Sequence, residues 1–134
     1  MRRFESTRQV RLRTAAGGRL DPWVAESFAL RLTGLAVLAG LPEGRALLLP
    51  ACRSVQTLAM RFAIDVAFLS WPPERRCCEV LALRTAVPPA RVVAGPRYLP
   101  RSGVAALEAR AGALACAGVR PGARLRVDPH EVHV

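Results

Sequence analysis

The chain has 134 residues, of which 51% are hydrophobic and 22% charged, and its 20 basic residues against 10 acidic ones give a formal net charge of +10. One domain accounts for that length, and the apolar fraction excludes a disordered chain. The longest uncharged apolar run, residues 32–42, falls well short of the ~20 residues that a membrane-spanning helix needs.

Residues 1–22 are polar and arginine-rich, with Arg2, Arg3, Arg8, Arg11 and Arg13 forming the densest run of charge. Gln9 to Arg13 alternates and predicts an edge strand closed by a Gly17-Gly18 turn, or else the whole stretch is a basic tail. Trp23 to Leu35 reads as a short helix, with Asp21 as its cap and Pro22 at its first position. Ala46 to Leu49 predicts a buried strand. The strongest signal is Leu58 to Leu69, where Leu58, Met60, Phe62, Ile64, Val66 and Phe68 occupy every even position. Period two over six large apolar residues is a strand. Its odd face carries Ala59, Arg61, Ala63, Asp65 and Ala67, small enough for a shallow cleft or for close packing. Trp71 to Glu74 is a turn, and Cys77 to Leu83 its hairpin partner, with Cys77 and Cys78 on opposite faces. A short strand is expected at Arg91 to Val93, another near Leu107 followed by one or two helical turns, and a last one at Arg124 to Val127. Pro121-Gly122 marks a type II turn before it. These elements describe a mainly β chain: an N-terminal segment 1–22, one compact β domain over 23–128, and a tail over 129–134.

Every basic residue is arginine. Codon bias explains arginine in place of lysine but not the excess of positive over negative charge. That excess raises the prospect of a polyanionic partner, whether nucleic acid, an anionic membrane surface or an acidic protein, but outside the N-terminal run the arginines are scattered, and the first reading is a solvated basic surface. Any nucleic-acid binding would be phosphate-dominated and salt-sensitive, because aromatic residues are only 5% of the chain. Cys52, Cys77, Cys78 and Cys116 match no zinc spacing. The basic start lacks the apolar region of a signal peptide, so free thiols and a bacterial-type cytoplasmic location are the expectation. His130 and His133 lack a third ligand at metal spacing, Ser54 and Thr57 lack a nearby base, and no phosphate-cradling loop is present. No catalytic residue, metal or cofactor is therefore assigned.

The stretch Cys52 to Leu69, CRSVQTLAMRFAIDVAFL, resembles the signature of the bacterial and archaeal domain of unknown function 192 family: a Ser-Val-His-Thr segment, then Met-Arg-Phe-Pro-Ile-Asp. Arg31 to Leu35 is similar to its Arg-x-x-Gly-Leu, Pro88 to Arg91 to its Pro-Trp-Arg, and Leu107-Glu108 with Ala111-Gly112, Gly118 and Gly122 to its closing series. The likeness covers roughly residues 24–127. It implies a small single-domain β-sandwich or barrel-like fold, jelly-roll-like, with one or two short helices, and no assigned activity. Pilus or secretion proteins are partners by loose family analogy. Gln56 stands where the family has a frequent His, Ala63 where it has Pro, Ala90 where it has Trp, and Ala123 where it has Asp.

The candidate binding patch is Arg53, Ser54, Gln56, Thr57, Arg61, Asp65 and Arg91. Arg61 and Asp65 share a strand face but lie about 13 Å apart at 3.3 Å per residue, so each needs another partner. Arg91 and Glu108 are the options, unless Asp65 is structural and anchors a turn or a buried salt bridge. Three function classes stand: a non-enzymatic binding or accessory domain using this patch, a polyanion binder using the arginine surface, and a small enzyme of unknown reaction.

Overall fold

A computed structural model describes residues 8–25, 46–57 and 62–130. Its centre is β6 (Ile64–Ser70), flanked by β7 (Cys77–Val87) and β9 (Val104–Arg110). From there the sheet continues through β4 (Leu47–Leu49) and β3 (Trp23–Val24) to β1 (Gln9–Thr14) on one side, and to β10 (Arg124–His130) on the other. β1 and β10 pair along six residues, from Gln9 opposite His130 to Thr14 opposite Leu125. That pairing closes a seven-stranded barrel. All pairs are antiparallel except β3 with β4, so the barrel is mixed. The short β2 (Arg19–Leu20) folds back on β1, and β5 (Ser54–Gln56) pairs with β8 (Val92–Ala94) in a separate two-stranded sheet.

Closure explains the core. Val10, Leu12, Leu48, Ala67, Leu69, Leu107 and Leu125 point into the barrel and pack together. Ile64, Val66, Phe68, Leu47 and Ala106 point outward and pack with Val55 and Val93 of the small sheet and with Leu99. β6 is thus buried on both faces, and its small odd face is barrel interior, with Ala67 fully enclosed. No cleft opens there. Fully burying side chains of this size stabilises by roughly 1.5–3 kcal/mol each. The helix α1 (Ala113–Ala117) adds Leu114 and Ala117 to the interior cluster.

The expected elements mostly form, with three differences. Trp23 and Val24 are a strand, not the first turn of a helix. Trp23 N–H donates to Ala46 C=O (3.0 Å) and Ala25 N–H to Leu48 C=O (2.8 Å), while the expected cap Asp21 is taken by Arg11 (2.8 Å) and Arg19 (3.5 Å). The rest of that expected helix, to Leu35, lies outside the described residues. Gln9 to Thr14 is a strand but not an edge, being paired to β10 on one side and to β2 and β3 on the other. The strand expected from Leu58 begins at Ile64, and residues 58–61 lie outside the described residues. Cys77 is exposed and Cys78 buried, as adjacent strand residues should be. Among the described residues no helix is long and apolar enough to cross a membrane.

Candidate functional site: an arginine face on the barrel

The sequence-predicted patch is divided by the fold. Asp65 is buried, with 1% of its surface exposed. Opposite it β7 carries a bulge: Ile64 pairs with Val87 and Val66 with Arg84, so Thr85 and Ala86 together face Asp65. The Ala86 N–H donates to Asp65 Oδ1 (2.9 Å), and the Gly112 N–H, just past β9, donates to Oδ2 (2.9 Å). Both donors have left-handed backbone, with φ 50° at Ala86 and 89° at Gly112. Neither Arg91 nor Glu108 is the partner of this carboxylate.

Thr57 is also buried. Its hydroxyl accepts from the Arg91 N–H (2.8 Å) and donates to the Pro88 C=O (2.9 Å). Asp65 and Thr57 therefore hold the two ends of the connection between β7 and β8. Arg53 donates to the Leu99 C=O (3.1 Å), and the Arg53, Ser54 and Arg91 side chains are exposed. Gln56 lies in β5, and Arg61 is outside the described residues. The structure joins the Thr57 hydroxyl to the Arg91 main chain, not to its guanidinium, and puts Asp65 in the barrel wall. Cys52 Sγ donates to the Ser54 C=O (2.8 Å).

Glu108 faces the opposite way from Asp65. It sits on β9 between Leu47 of β4 and Val66 of β6, fully buried, with neither carboxylate oxygen hydrogen-bonded among the described residues. Desolvation pushes its carboxyl up to about 8. Burial, then the neighbouring Cys77, pushes the Cys78 thiol up to about 12, which leaves it inert.

The concentrated charge lies elsewhere, on the outward face of β2, β1 and β10. Strand alternation turns Leu12 and Leu125 inward and Arg11, Arg13 and Arg126 outward. Register then aligns them: Arg19 is opposite Arg13, and Arg13 is opposite Arg126. Directly opposed residues have Cβ atoms about 5 Å apart, so this is a row of three like charges. Their side chains are 55%, 53% and 61% exposed. Two carboxylates are shared among five guanidinium groups: Asp21 with Arg11 and Arg19, and Asp128 with Arg13 (3.9 Å), Arg76 (3.8 Å) and Arg126 (3.2 Å). Among the described residues the face keeps an excess of three positive charges.

Arg76 reaches it from the tip of the β6–β7 hairpin. Glu74 and Cys77 exchange both backbone hydrogen bonds (2.9 and 3.0 Å) across a two-residue loop, with φ 52° at Arg75 and 61° at Arg76. That is a type I′ turn, whose central positions favour Asn-Gly. Two arginines occupy them instead. The dense N-terminal run visible in the sequence supplies Arg11 and Arg13 of this face. Arg19, Arg76 and Arg126 escape a sequence reading, although the alternation Arg124-Leu125-Arg126-Val127 signals a strand with a basic outer face.

A search of curated proteins finds no match. Two solved structures share the fold at TM-score 0.65 and 20% identity. One, a Sinorhizobium meliloti 1021 protein provisionally described as a transcription regulator, matches over 91% of this chain and 94% of its own. The other, a protein of unknown function from Novosphingobium aromaticivorans DSM 12444, matches over 90% of this chain and 83% of its own. The family profile DUF192, described as an uncharacterized ACR, matches residues 11–127, from β1 to β10. The chain belongs to the DUF192 family.

Proposed function

We propose that the domain is a non-enzymatic binding module that takes a polyanion, the phosphate backbone of a nucleic acid, on the arginine face of β2, β1 and β10. The observation that carries this is the row Arg19–Arg13–Arg126. Like charges directly opposite one another destabilise a sheet, and an anion laid across them removes that repulsion. The provisional description of the Sinorhizobium relative as a transcription regulator agrees with the same partner class.

Fluorescence anisotropy with a generic DNA oligonucleotide at low and moderate salt tests the reading. Binding should weaken steeply with salt, with a log–log slope of magnitude about 3 for an excess of three charges. The double substitution Arg13→Gln, Arg126→Gln should cut that slope by about 2. Absence of binding at low salt would sink the proposal. A second reading, a protein partner at the small β5–β8 sheet, is favoured by Val92, which is 66% exposed beside Arg53, Ser54 and Arg91. It would appear as binding that salt hardly changes.

A further inference from the structure

Beside the arginine face, at the end of the barrel away from α1, lies a groove of about 560 Å³. Its lining is mostly apolar: Trp71, Pro72 and Pro73 from the β6–β7 hairpin, and Pro129 from β10. Arg8 and Arg76 complete it with positive charge. Trp71 is half-buried, packed against the barrel core, and its backbone N–H donates to the Gly103 C=O (2.9 Å), which fixes its main chain. Arg76 belongs to both places, since it lines the groove and lies 3.8 Å from Asp128 on the arginine face. The volume is that of a small-molecule site, not of a bound chain. An aromatic ring and prolines set next to cationic side chains are the chemistry that takes a flat π-system attached to an anion.

From this continuity we infer that the ligand is single-stranded nucleic acid, its phosphates on the arginine row and one unpaired base held in the groove against Trp71. The inference rests on the polyanion reading and narrows it. A paired base in a duplex is stacked on both faces and cannot reach a groove without being extruded, whereas a single strand offers its bases freely. The groove offers mainly a stacking surface, with Arg8, Gln9 and Arg76 as its polar lining, so tolerance of sequence is expected.

The test compares a 12-nucleotide oligo-dT, the matching oligo-U and a duplex of equal length, by anisotropy and by intrinsic tryptophan emission. The single strands should bind about tenfold more tightly than the duplex, which is one base's worth of stacking. Emission should fall on binding, because Trp71 is accessible while Trp23 is buried. A preference between dT and U would reflect the thymine methyl or the 2′-hydroxyl, and either supports the inference. Trp71→Leu should remove the single-strand advantage and leave duplex affinity unchanged. Trp71→Phe, which keeps a ring and most of the packing volume, should retain much of it. Equal affinity for single and double strands with unchanged emission would overturn the groove assignment while leaving the arginine reading intact. No binding to any of the three would overturn both.

Discussion

Two buried carboxylates on neighbouring strands show how placement decides what a side chain does. Asp65 spends both oxygens on backbone N–H groups. In Asp65→Asn one oxygen becomes an NH2 facing a donor, so one buried N–H loses its acceptor, at about 2 kcal/mol. Urea denaturation should show that loss, while affinity for the oligonucleotide per folded molecule stays at the wild-type value. Reduced affinity with unchanged stability would instead put Asp65 in a binding site. Glu108 has no such partners. Its carboxyl ionises near 4.5 when unfolded and near 8 when folded. Below pH 4.5 both states hold the proton and its contribution is level. Between 4.5 and 8 the unfolded state ionises first, so stability falls as pH rises, by up to about 1.4 kcal/mol per unit. Above 8 both states are ionised and the loss is complete. Denaturation midpoints should therefore decline from pH 5 to pH 8 in the wild type and much less in Glu108→Gln. An equal decline in both would place the titration elsewhere.

At the scale of the element, the β6–β7 hairpin sets local stability against charge. Left-handed backbone costs a non-glycine residue roughly 1–2 kcal/mol, and the hairpin incurs this at both Arg75 and Arg76. The double substitution Arg75→Asn, Arg76→Gly, which installs the pair that a type I′ turn favours, should raise stability by about 1–2 kcal/mol. The same change should weaken oligonucleotide binding and flatten its salt dependence. A gain in stability with undiminished binding would show that the arginines are incidental to the face. The elements themselves are largely legible in the sequence. Period-two hydrophobicity in Ile64, Val66 and Phe68 marks β6, and Pro121-Gly122 marks the turn, with Gly122 at φ 83° and the Ala123 N–H on the Arg120 C=O (3.0 Å). The Asp21-Pro22 helix signal misleads because its carboxylate is satisfied by Arg11 of β1 and Arg19 of β2, which no helix-capping rule takes into account.

At the scale of the molecule, the mainly β class follows from the strands, but the barrel does not. The sequence predicts strands at Gln9 to Arg13 and Arg124 to Val127, yet nothing local says that they lie side by side. Their register makes the arginine row, so the proposed site is a product of long-range pairing and could not be read from either segment. The Arg53–Asp65 patch is legible as a polar cluster. That Thr57 and Asp65 turn inward becomes visible only with the bulge at Thr85-Ala86 and the positions of Pro88 and Arg91. The pairing of β1 with β10 has one more consequence. The ring is completed by β1 and β10, which lie more than 100 residues apart, so as the polypeptide emerges from a ribosome the site cannot exist until β10 has been made. Until then the edge of β1 that β10 will cover is an unpaired template for any passing strand. The outward arginines beside that edge repel other copies of the same chain, and in this way the charge proposed to hold a polyanion would also protect the unfinished barrel.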